Sequence, residues 1–262
     1  MLKYLKYYLS TLLLISAIII CSIGGNSPTI YFICFSSIII LGDIFLGKDV
    51  STEKYSYPFL INLPIYINIV PLVIFLTMVV YIFGNQGSLL LVNFYNRFLF
   101  IDLIHIKDGV TIFDGISLVL LSALFIGLNG VNPGHELTHR KKDKLNMFFG
   151  NWLLAFSWDC AFALEHVYGH HKNVGLPTDP ATAKRGEGLY RFILSAIIKE
   201  QHDAWLIEFD HLKKRGYTSF GIHNKMLIGY TRSLLITIGG YLIGGIVGMT
   251  FYLLCALLAK SF

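Results

Sequence analysis

Residues 114–139 read DGISLVLLSALFIGLNGVNPGHELTH, so that an apolar run leads directly into a histidine motif. The run at 114–132 has the length of about 20 apolar residues that a transmembrane helix needs. The sequence Asn132-Pro133-Gly134 is expected to end this helix, because proline and glycine interrupt helical segments. The stretch therefore predicts a membrane helix with a pair of histidines just beyond its end.

The chain as a whole is apolar in composition. Of its 262 residues, 55% are hydrophobic and 14% are charged, and the mean hydropathy is +0.62, whereas soluble domains are about 25% charged. Further runs of membrane length lie at 7–24, 28–46 and 59–83. The stretch 226–258 is too long for one ordinary span and contains several glycines, which predicts a fifth helix at about 226–247 and then the start of a sixth.

These runs predict an all-α integral membrane fold with about five complete transmembrane helices, the start of a sixth and a cytoplasmic histidine-box cap. Residues 1–262 are interpreted as one membrane-bound domain, and we expect it to end before it is complete. Helices one to four occupy 1–131, the histidine-box region occupies 132–225, and the fifth helix and the start of the sixth occupy 226–262. The segment 147–164 is marginal in length and carries tryptophans, which favours an interfacial or re-entrant helix over a full span.

The basic residues predict the orientation of the chain. Lys3 and Lys6 precede the first run, which we interpret as a retained membrane helix and not a cleaved signal peptide. Loops rich in Lys and Arg stay on the cytoplasmic side, in bacteria the inner face of the inner membrane. Four crossings would then bring the chain back to that side at His135. If 147–164 does not cross, both histidine motifs face the cytoplasm and can share one metal site.

Two other classes are excluded by composition. The net charge of +5 comes with interleaved acidic residues and no nucleic-acid-binding motif, so a nucleic-acid partner is not expected. The four cysteines, Cys21, Cys34, Cys160 and Cys255, form no CxxC pair and lie in or next to apolar runs. They are interpreted as small buried hydrophobic residues, and not as disulfides or thiolate metal ligands.

Two histidine boxes carry the chemistry. The first contains His135 and His139, and the second contains His166, His170 and His171. Histidines at i and i+4 lie on one face of a helix, which allows two imidazoles to bind one metal or to flank a pair of metals. The first box, HELTH, also matches the zinc-protease pattern HExxH. That alternative calls for one further distal ligand, whereas this chain has a second box.

The metal type follows from the ligands. Imidazole-rich sites without thiolates suit Fe, Zn, Cu or Ni, and five histidines exceed a single tetrahedral zinc site. Two metals are therefore expected. Iron is favoured because a lipid-facing chain implies an apolar substrate, and inert C–H bonds need an oxidant derived from O₂.

The boxes and their surroundings resemble those of the membrane alkane hydroxylases, the alkane 1-monooxygenases of the desaturase/hydroxylase superfamily. Residues 132–140, NPGHELTHR, are similar to the first box of that family. Residues 165–171, EHVYGHH, with Asp179-Pro180-Ala181 after them, are similar to its second box, and residues 204–208, AWLIE, match further on. Asp43 with Gly47-Lys48-Asp49 is similar to an early G-E-D element, with Lys48 in place of the usual acid.

The resemblance implies a non-haem centre of two Fe ions. The five histidines of the boxes would be its ligands, and it would hydroxylate a terminal methyl group with O₂ and electrons from a rubredoxin-type donor. The substrate would be an alkane or a fatty-acyl chain that arrives from the membrane lipid. Glu136, Glu165 and Asp179 are candidates to orient ligand imidazoles, with surface ion pairs or helix caps as the alternative for each.

The family also has a later H-Y-G-type element and an R-H-x-x-H-H-type box, and neither occurs in this sequence. We therefore expect the chain to stop before the last iron ligands. The remaining histidines, at positions 105, 202, 211 and 223, belong to no box. Three functions stay open: an alkane hydroxylase, a fatty acyl desaturase or xylene-type methyl hydroxylase, and an inactive membrane remnant.

Overall fold

The computed structural model describes residues 2–47 and 54–261, and all regular secondary structure in this part of the chain is helical, with no β-strand. Lys48 and Asp49 of the element similar to G-E-D lie outside the described residues. Two compact units are present. The first comprises Met1–Asn129 with Ile238–Cys255, and the second comprises Gly130–Thr237 with Ala256–Phe262.

The helices follow the predicted apolar runs closely. In chain order they are α1 (Leu9–Cys21, preceded by short turns at Leu2–Leu5 and Lys6–Tyr8), α2 (Ser27–Phe45), α3 (Pro58–Phe83), α4 (Leu89–Leu99), α5 (Leu103–Gly109), α6 (Ile112–Thr138), α7 (Lys144–Ala155), α8 (Phe162–Glu165, continued by His166–His170 and His171–Asn173), α9 (Leu189–Lys214) and α10 (Lys225–Ala259).

Five of these segments are long and apolar enough to cross a membrane: Lys3–Cys21, α2, α3, α6 and α10. Many of their large apolar side chains remain exposed, as expected for surfaces that face lipid. The pair α4 and α5 meets at 108° and forms a broken span or a re-entrant loop. The predicted all-α integral membrane fold is therefore confirmed. The interfacial segment predicted at 147–164 overlaps most of α7 and the start of α8, and neither helix is among the candidate spans.

The fourth predicted run does not end at Asn132-Pro133-Gly134. Helix α6 continues through Pro133 to Thr138, so the first box forms the last turns of a membrane helix. Proline lacks an N–H group and normally disturbs the helix before it. Here the preceding turn, Ile126–Val131, adopts π-helical spacing, which accommodates the proline without a break.

Helix α10 reverses direction at Gly245. This glycine has φ +65° and ψ −160°, a conformation open to glycine and rare for other residues. Before the break, a Cβ placed on Gly240 would lie 3.9 Å from both Met249 Cα and Tyr252 Cβ, which follow the break. The two limbs therefore pack side by side, in agreement with the predicted fifth helix and the start of a sixth.

Three of the four cysteines are buried, as the sequence predicted for all four. Cys21, Cys160 and Cys255 are buried and unpaired. Cys34 is also free but exposed, on the apolar helix α2, where exposure is to the lipid side in a membrane protein.

Two close contacts fix the helices that carry the boxes. In the second unit, α7 packs against the end of α6, where Gly134 and Gly150 approach so closely that a Cβ on either would lie 3.1 Å from the other's carbonyl oxygen. The second box is supported by a small buried core in which Ala161 and Leu164 meet Ala204 of α9 and Met226 of α10. The first box is therefore positioned by backbone packing and the second by side-chain packing.

Candidate metal centre

The five box histidines form one cluster in the second unit. His166 lies at its centre, and its ring centroid is 4.3 Å from that of His135, 5.3 Å from His139, 5.3 Å from His170 and 4.6 Å from His171. The first box alone has a centroid separation of 4.7 Å. The structure thus brings together all five histidines that the sequence singled out.

Three of these imidazoles are close to the spacing of a metal site. One ring nitrogen from each of His135, His139 and His166 lies within 4.8 Å of the other two. Two nitrogens bound to one metal at 2.0–2.1 Å are at most about 4.2 Å apart. Small side-chain movements would therefore bring the three nitrogens to ligand distance.

The ring of His170 is oriented by Asp179. Its Nδ1 lies 2.9 Å from Asp179 Oδ2, and since an ionised carboxylate only accepts, Nδ1 carries the proton and Nε2 is left for a metal. Asp179 is buried and also accepts from the Thr182 hydroxyl and from Ala181 N–H at 3.1 Å. Burial acts to raise the pKa of Asp179, but the hydrogen bonds from Thr182 and His170 outweigh it and hold the pKa below its ordinary value.

His166 is held in the form that can bind a metal. Burial and the neighbouring imidazoles, above all His135, lower the pKa of His166 to about 3, so this ring is neutral at physiological pH. Its Nε2 is buried and has no hydrogen-bond partner among the described residues. A buried polar atom without a partner is costly, and a metal ion would remove that cost.

Glu165 is buried beside the second box. Burial, followed by the charge of Asp179, raises the pKa of Glu165 to about 7. In the described part of the chain its Oε1 has no hydrogen-bond partner, and a Cβ on Gly169 would lie 2.5 Å from that atom. Glycine at 169 therefore leaves the space that the Glu165 carboxyl group occupies inside the π turn His166–His170.

Glu136 lies in a different environment from the other two carboxylates. Its Oε1 accepts from Arg140 at 2.9 Å, one helical turn further along, and both side chains are substantially exposed. This contact matches the alternative considered for Glu136, a surface ion pair. Of the three candidate orienting residues, only Asp179 bonds to a box histidine. Glu165 is buried with no partner for Oε1 among the described residues, and Glu136 is paired with Arg140.

Two side chains of the cluster were not identified from the sequence. The ring of Phe162 stacks on His166 at 4.5 Å and meets His135 edge-on at 5.1 Å. Phe162 precedes His166 by four residues, and this spacing places both on one helix face, so the signal was present. Thr182 stands three residues after Asp179, the spacing at which a hydroxyl commonly bonds back within a turn.

Three of the four remaining histidines make contacts outside this cluster. His202 is 69% exposed and bonds to Asp203, and His211 packs edge-on against Tyr168. His223 stacks on Tyr217. The donor set of the cluster is therefore purely imidazole with nearby carboxylates, which fits iron, zinc, copper or nickel.

Comparison with known proteins shows what this arrangement is similar to. The fatty acid desaturase family matches residues 115–262, which include both boxes. Alkane 1-monooxygenase 2 of Alcanivorax borkumensis is 29% identical over 150 residues, which is 57% of this chain and 39% of that protein. Alkane 1-monooxygenase 1 of Pseudomonas aeruginosa is 34% identical over 135 residues, 52% of this chain and 35% of that protein.

A third relative is matched over a longer stretch. The xylene/toluene monooxygenase hydroxylase component XylM of Pseudomonas putida is 28% identical over 221 residues, 84% of this chain and 54% of that protein. The matched segments thus span between about a third and about half of the relatives' lengths. Because the family match covers more than half of the chain, the protein belongs to the fatty acid desaturase family, and within it the chain is similar to the alkane 1-monooxygenases and to XylM.

Proposed function

We propose that this chain belongs to a membrane di-iron monooxygenase that hydroxylates the terminal methyl group of medium- or long-chain alkanes, or of similar lipids. The observation that carries the proposal is the cluster of five box imidazoles around His166. The names of the relatives, which are all monooxygenases, support monooxygenase chemistry. Electrons would come from a rubredoxin-type donor, and the substrate would enter from the bilayer.

In this proposal the box residues hold two iron ions, which supply the activation of O₂. His135, His139 and His166 offer the tightest group of nitrogens. His170 and His171 lie beside them, and Asp179 fixes the ring of His170 through Nδ1. That hydrogen bond sets which nitrogen of His170 faces a metal and raises the basicity of the ring.

The proposed setting is the bacterial inner membrane, with both boxes on the cytoplasmic side. Exposed basic residues follow each box helix, at Lys141, Lys142, Lys172 and Lys184. Such a surplus of Lys and Arg marks the cytoplasmic side of a membrane protein. An electron donor that is soluble in the cytoplasm would then reach the face that carries the histidines.

A second candidate is a xylene-type methyl hydroxylase. The favouring observation is that the similarity to XylM extends over 84% of this chain. The same cluster would serve either reaction, since both break a C–H bond of a methyl group. A fatty acyl desaturase is the third enzymatic alternative, and a remnant that binds little or no metal is the non-enzymatic one.

The test is iron per chain, measured by elemental analysis on protein purified from membranes. We expect about two irons for the unmodified chain. His166→Ala should lose most of the iron, because this ring contacts all four other box histidines. His202→Ala is the matched control: it removes a histidine that is exposed and outside the cluster, and it should keep the full iron content.

Product analysis on the same preparations, supplied with O₂ and a rubredoxin-type donor, separates the candidates. A primary alkanol from an n-alkane supports the leading proposal, a benzylic alcohol from xylene supports the second, and a double bond in a fatty acyl chain supports a desaturase. Iron near zero in the unmodified chain, equal to that of His166→Ala, would contradict all three enzymatic proposals and leave the remnant.

A further inference from the structure

A cavity of about 330 Å³ lies within the second unit, between the ends of the box helices and the start of α10. Four cationic side chains line it: Lys141, Arg215, Lys225 and Arg232. No carboxylate is among its lining residues. This composition is unusual in a chain of which only 14% is charged. It gives the cavity a positive lining, in which Arg232 is half-buried and the other three cations are exposed.

Acidic side chains in the described part of the chain do not neutralise the four cations. Among the described residues, none of them forms an ion pair with an aspartate or glutamate. The buried carboxylate of Glu208 accepts from the backbone N–H of Lys225 at 2.7 Å. The positive charge of the cavity is therefore left for a ligand to neutralise.

The depth of Arg232 strengthens this argument. Lys225 begins the candidate span α10, and Ile228 and Arg232 follow it at i+3 and i+7, on the same helix face. Arg232 therefore lies about 10 Å along the span from Lys225, at 1.5 Å per residue, and it is half-buried. A charged residue within a membrane span is costly and usually has a specific partner.

The level of the cavity indicates where the ligand comes from. Thr138, at its wall, is the last residue of the candidate span α6, and Lys225 is the first residue of α10. The ends of membrane spans lie at the level of the lipid headgroups. Ala163, Leu164 and Ile228 add an apolar lining, so the cavity combines a cationic part with an apolar part.

The walls are held by close contacts. A Cβ on Gly229 would lie 2.4 Å from Cys160 Cβ, so α10 packs directly on the segment before α8. The ammonium group of Lys141 lies 3.9 Å above the ring of Tyr168, a cation–π contact that joins the region after the first box to the second box. A ligand in the cavity would thus touch the elements that carry both boxes.

We propose that this cavity binds the phosphate group of an anionic phospholipid, with the start of the acyl chain along Leu164 and Ile228. A phosphate accepts hydrogen bonds from Arg and Lys in charge-assisted pairs, which are the strong ones. A zwitterionic lipid would bring its own cation into a cavity that already holds four. The site is separate from the imidazole cluster, and its occupancy does not depend on the iron chemistry proposed above.

The test is thermal stabilisation of the full chain, purified and delipidated in a neutral detergent. Phosphatidylglycerol should raise Tm by about 3 °C or more at saturation, whereas phosphatidylcholine and inorganic phosphate at equal concentration should not. Arg232→Gln should need at least about ten times more phosphatidylglycerol for half of the shift, since a charge-assisted contact is lost. Lys142→Gln is the matched control, because Lys142 is exposed and does not line the cavity.

Lys141→Gln provides a second variant if Arg232→Gln does not fold, and native mass spectrometry counts the phosphatidylglycerol retained per chain. The proposal is overturned if phosphatidylcholine protects as well as phosphatidylglycerol, or if inorganic phosphate alone gives the full shift. It is equally overturned if the cavity variants titrate like Lys142→Gln. Stabilisation by an acidic peptide but not by the lipid would assign the cavity to a protein partner instead.

Discussion

The two histidine boxes reach the same cluster by different physical means. The first is the end of a 27-residue helix, and its position follows from the path of α6 and from the close approach of Gly134 to Gly150. The second lies in a short helix that passes into the π turn His166–His170. Its position depends on side chains that touch it, among them Phe162 and Asp179.

This difference predicts which side-chain substitutions will disturb each box. A backbone-packed element tolerates changes in exposed side chains, as the surface ion pair of Glu136 with Arg140 illustrates. An element held by side-chain hydrogen bonds in a buried setting depends on each of them, because a buried group that loses its partner carries the full desolvation cost. We therefore expect single polar substitutions to act mainly on the second box.

The largest expected effect is that of Asp179→Asn. The amide can still accept a hydrogen bond, but it lacks the charge that fixes the ring of His170. Loss of such an orienting group typically lowers metal affinity by about 10- to 100-fold. Titration of the metal-depleted protein with Fe²⁺, followed by the bound iron, measures the change.

Asp203→Asn is the matched control for this substitution. Asp203 also pairs with a histidine, His202, at 3.2 Å, but His202 is exposed and belongs to no box. The iron affinity of the Asp203→Asn variant should equal that of the unmodified chain. Equal iron affinities for the Asp179 and Asp203 variants would show that the second box does not depend on the Asp179 carboxylate. The proposed difference between a first box held by backbone packing and a second box held by side chains would then be wrong.

The same contrast explains what the sequence could predict. The apolar runs at 28–46 and 59–83 became helices at Ser27–Phe45 and Pro58–Phe83, because a span is defined by length and hydropathy alone. The placement of both boxes on one side of the membrane was predicted by counting these runs and by interpreting 147–164 as a segment that does not cross. The i, i+4 spacing placed two histidines of each box on one helix face. Length, hydropathy and spacing are local features, which a single sequence displays directly.

The features that were missed depend on contacts between distant residues or on unusual backbone geometry. The predicted helix end at Pro133 was wrong because hydropathy does not reveal the π turn that precedes it. The pairing of Asp179 with His170, and of Glu136 with Arg140, could not be distinguished beforehand. Each carboxylate stood near a box in sequence, and only the fold decides which imidazole or cation it meets.

A half-buried carboxylate that senses the charge of Glu165 gives a pH-dependent test. Burial, followed by the charges of Asp159 and Glu165, raises the pKa of Glu200, on α9, to about 7 from 4.5. Between pH 4.5 and about pH 7, Glu200 is ionised in the unfolded chain but stays protonated in the folded chain. Stability therefore falls as pH rises from about 4.5 to about 7 and then levels off.

Glu200→Gln should remove this loss. One pKa unit corresponds to about 1.4 kcal/mol, and solvent screening reduces the total, so we expect a gain of about 1–2 kcal/mol at pH 8 and almost none at pH 4.5. Thermal unfolding of both proteins at a series of pH values measures it. A constant difference across the series would mean that Glu200 is not protonated in the folded state.

The smallest expected effect concerns the first box. Gly150→Ala would place a Cβ 3.0 Å from Leu137 Cβ and 3.1 Å from the carbonyl oxygen of Gly134, so α6 and α7 must move apart. Overpacking costs about 1–3 kcal/mol, against a gain of about 1 kcal/mol from helix propensity.

Gly239→Ala is the control, since the same change in α10 meets no atom within 4 Å and has the propensity gain alone. Thermal unfolding should therefore rank Gly150→Ala below Gly239→Ala. If the two variants are equally stable, close backbone packing does not hold the first box, and both boxes depend on their side chains.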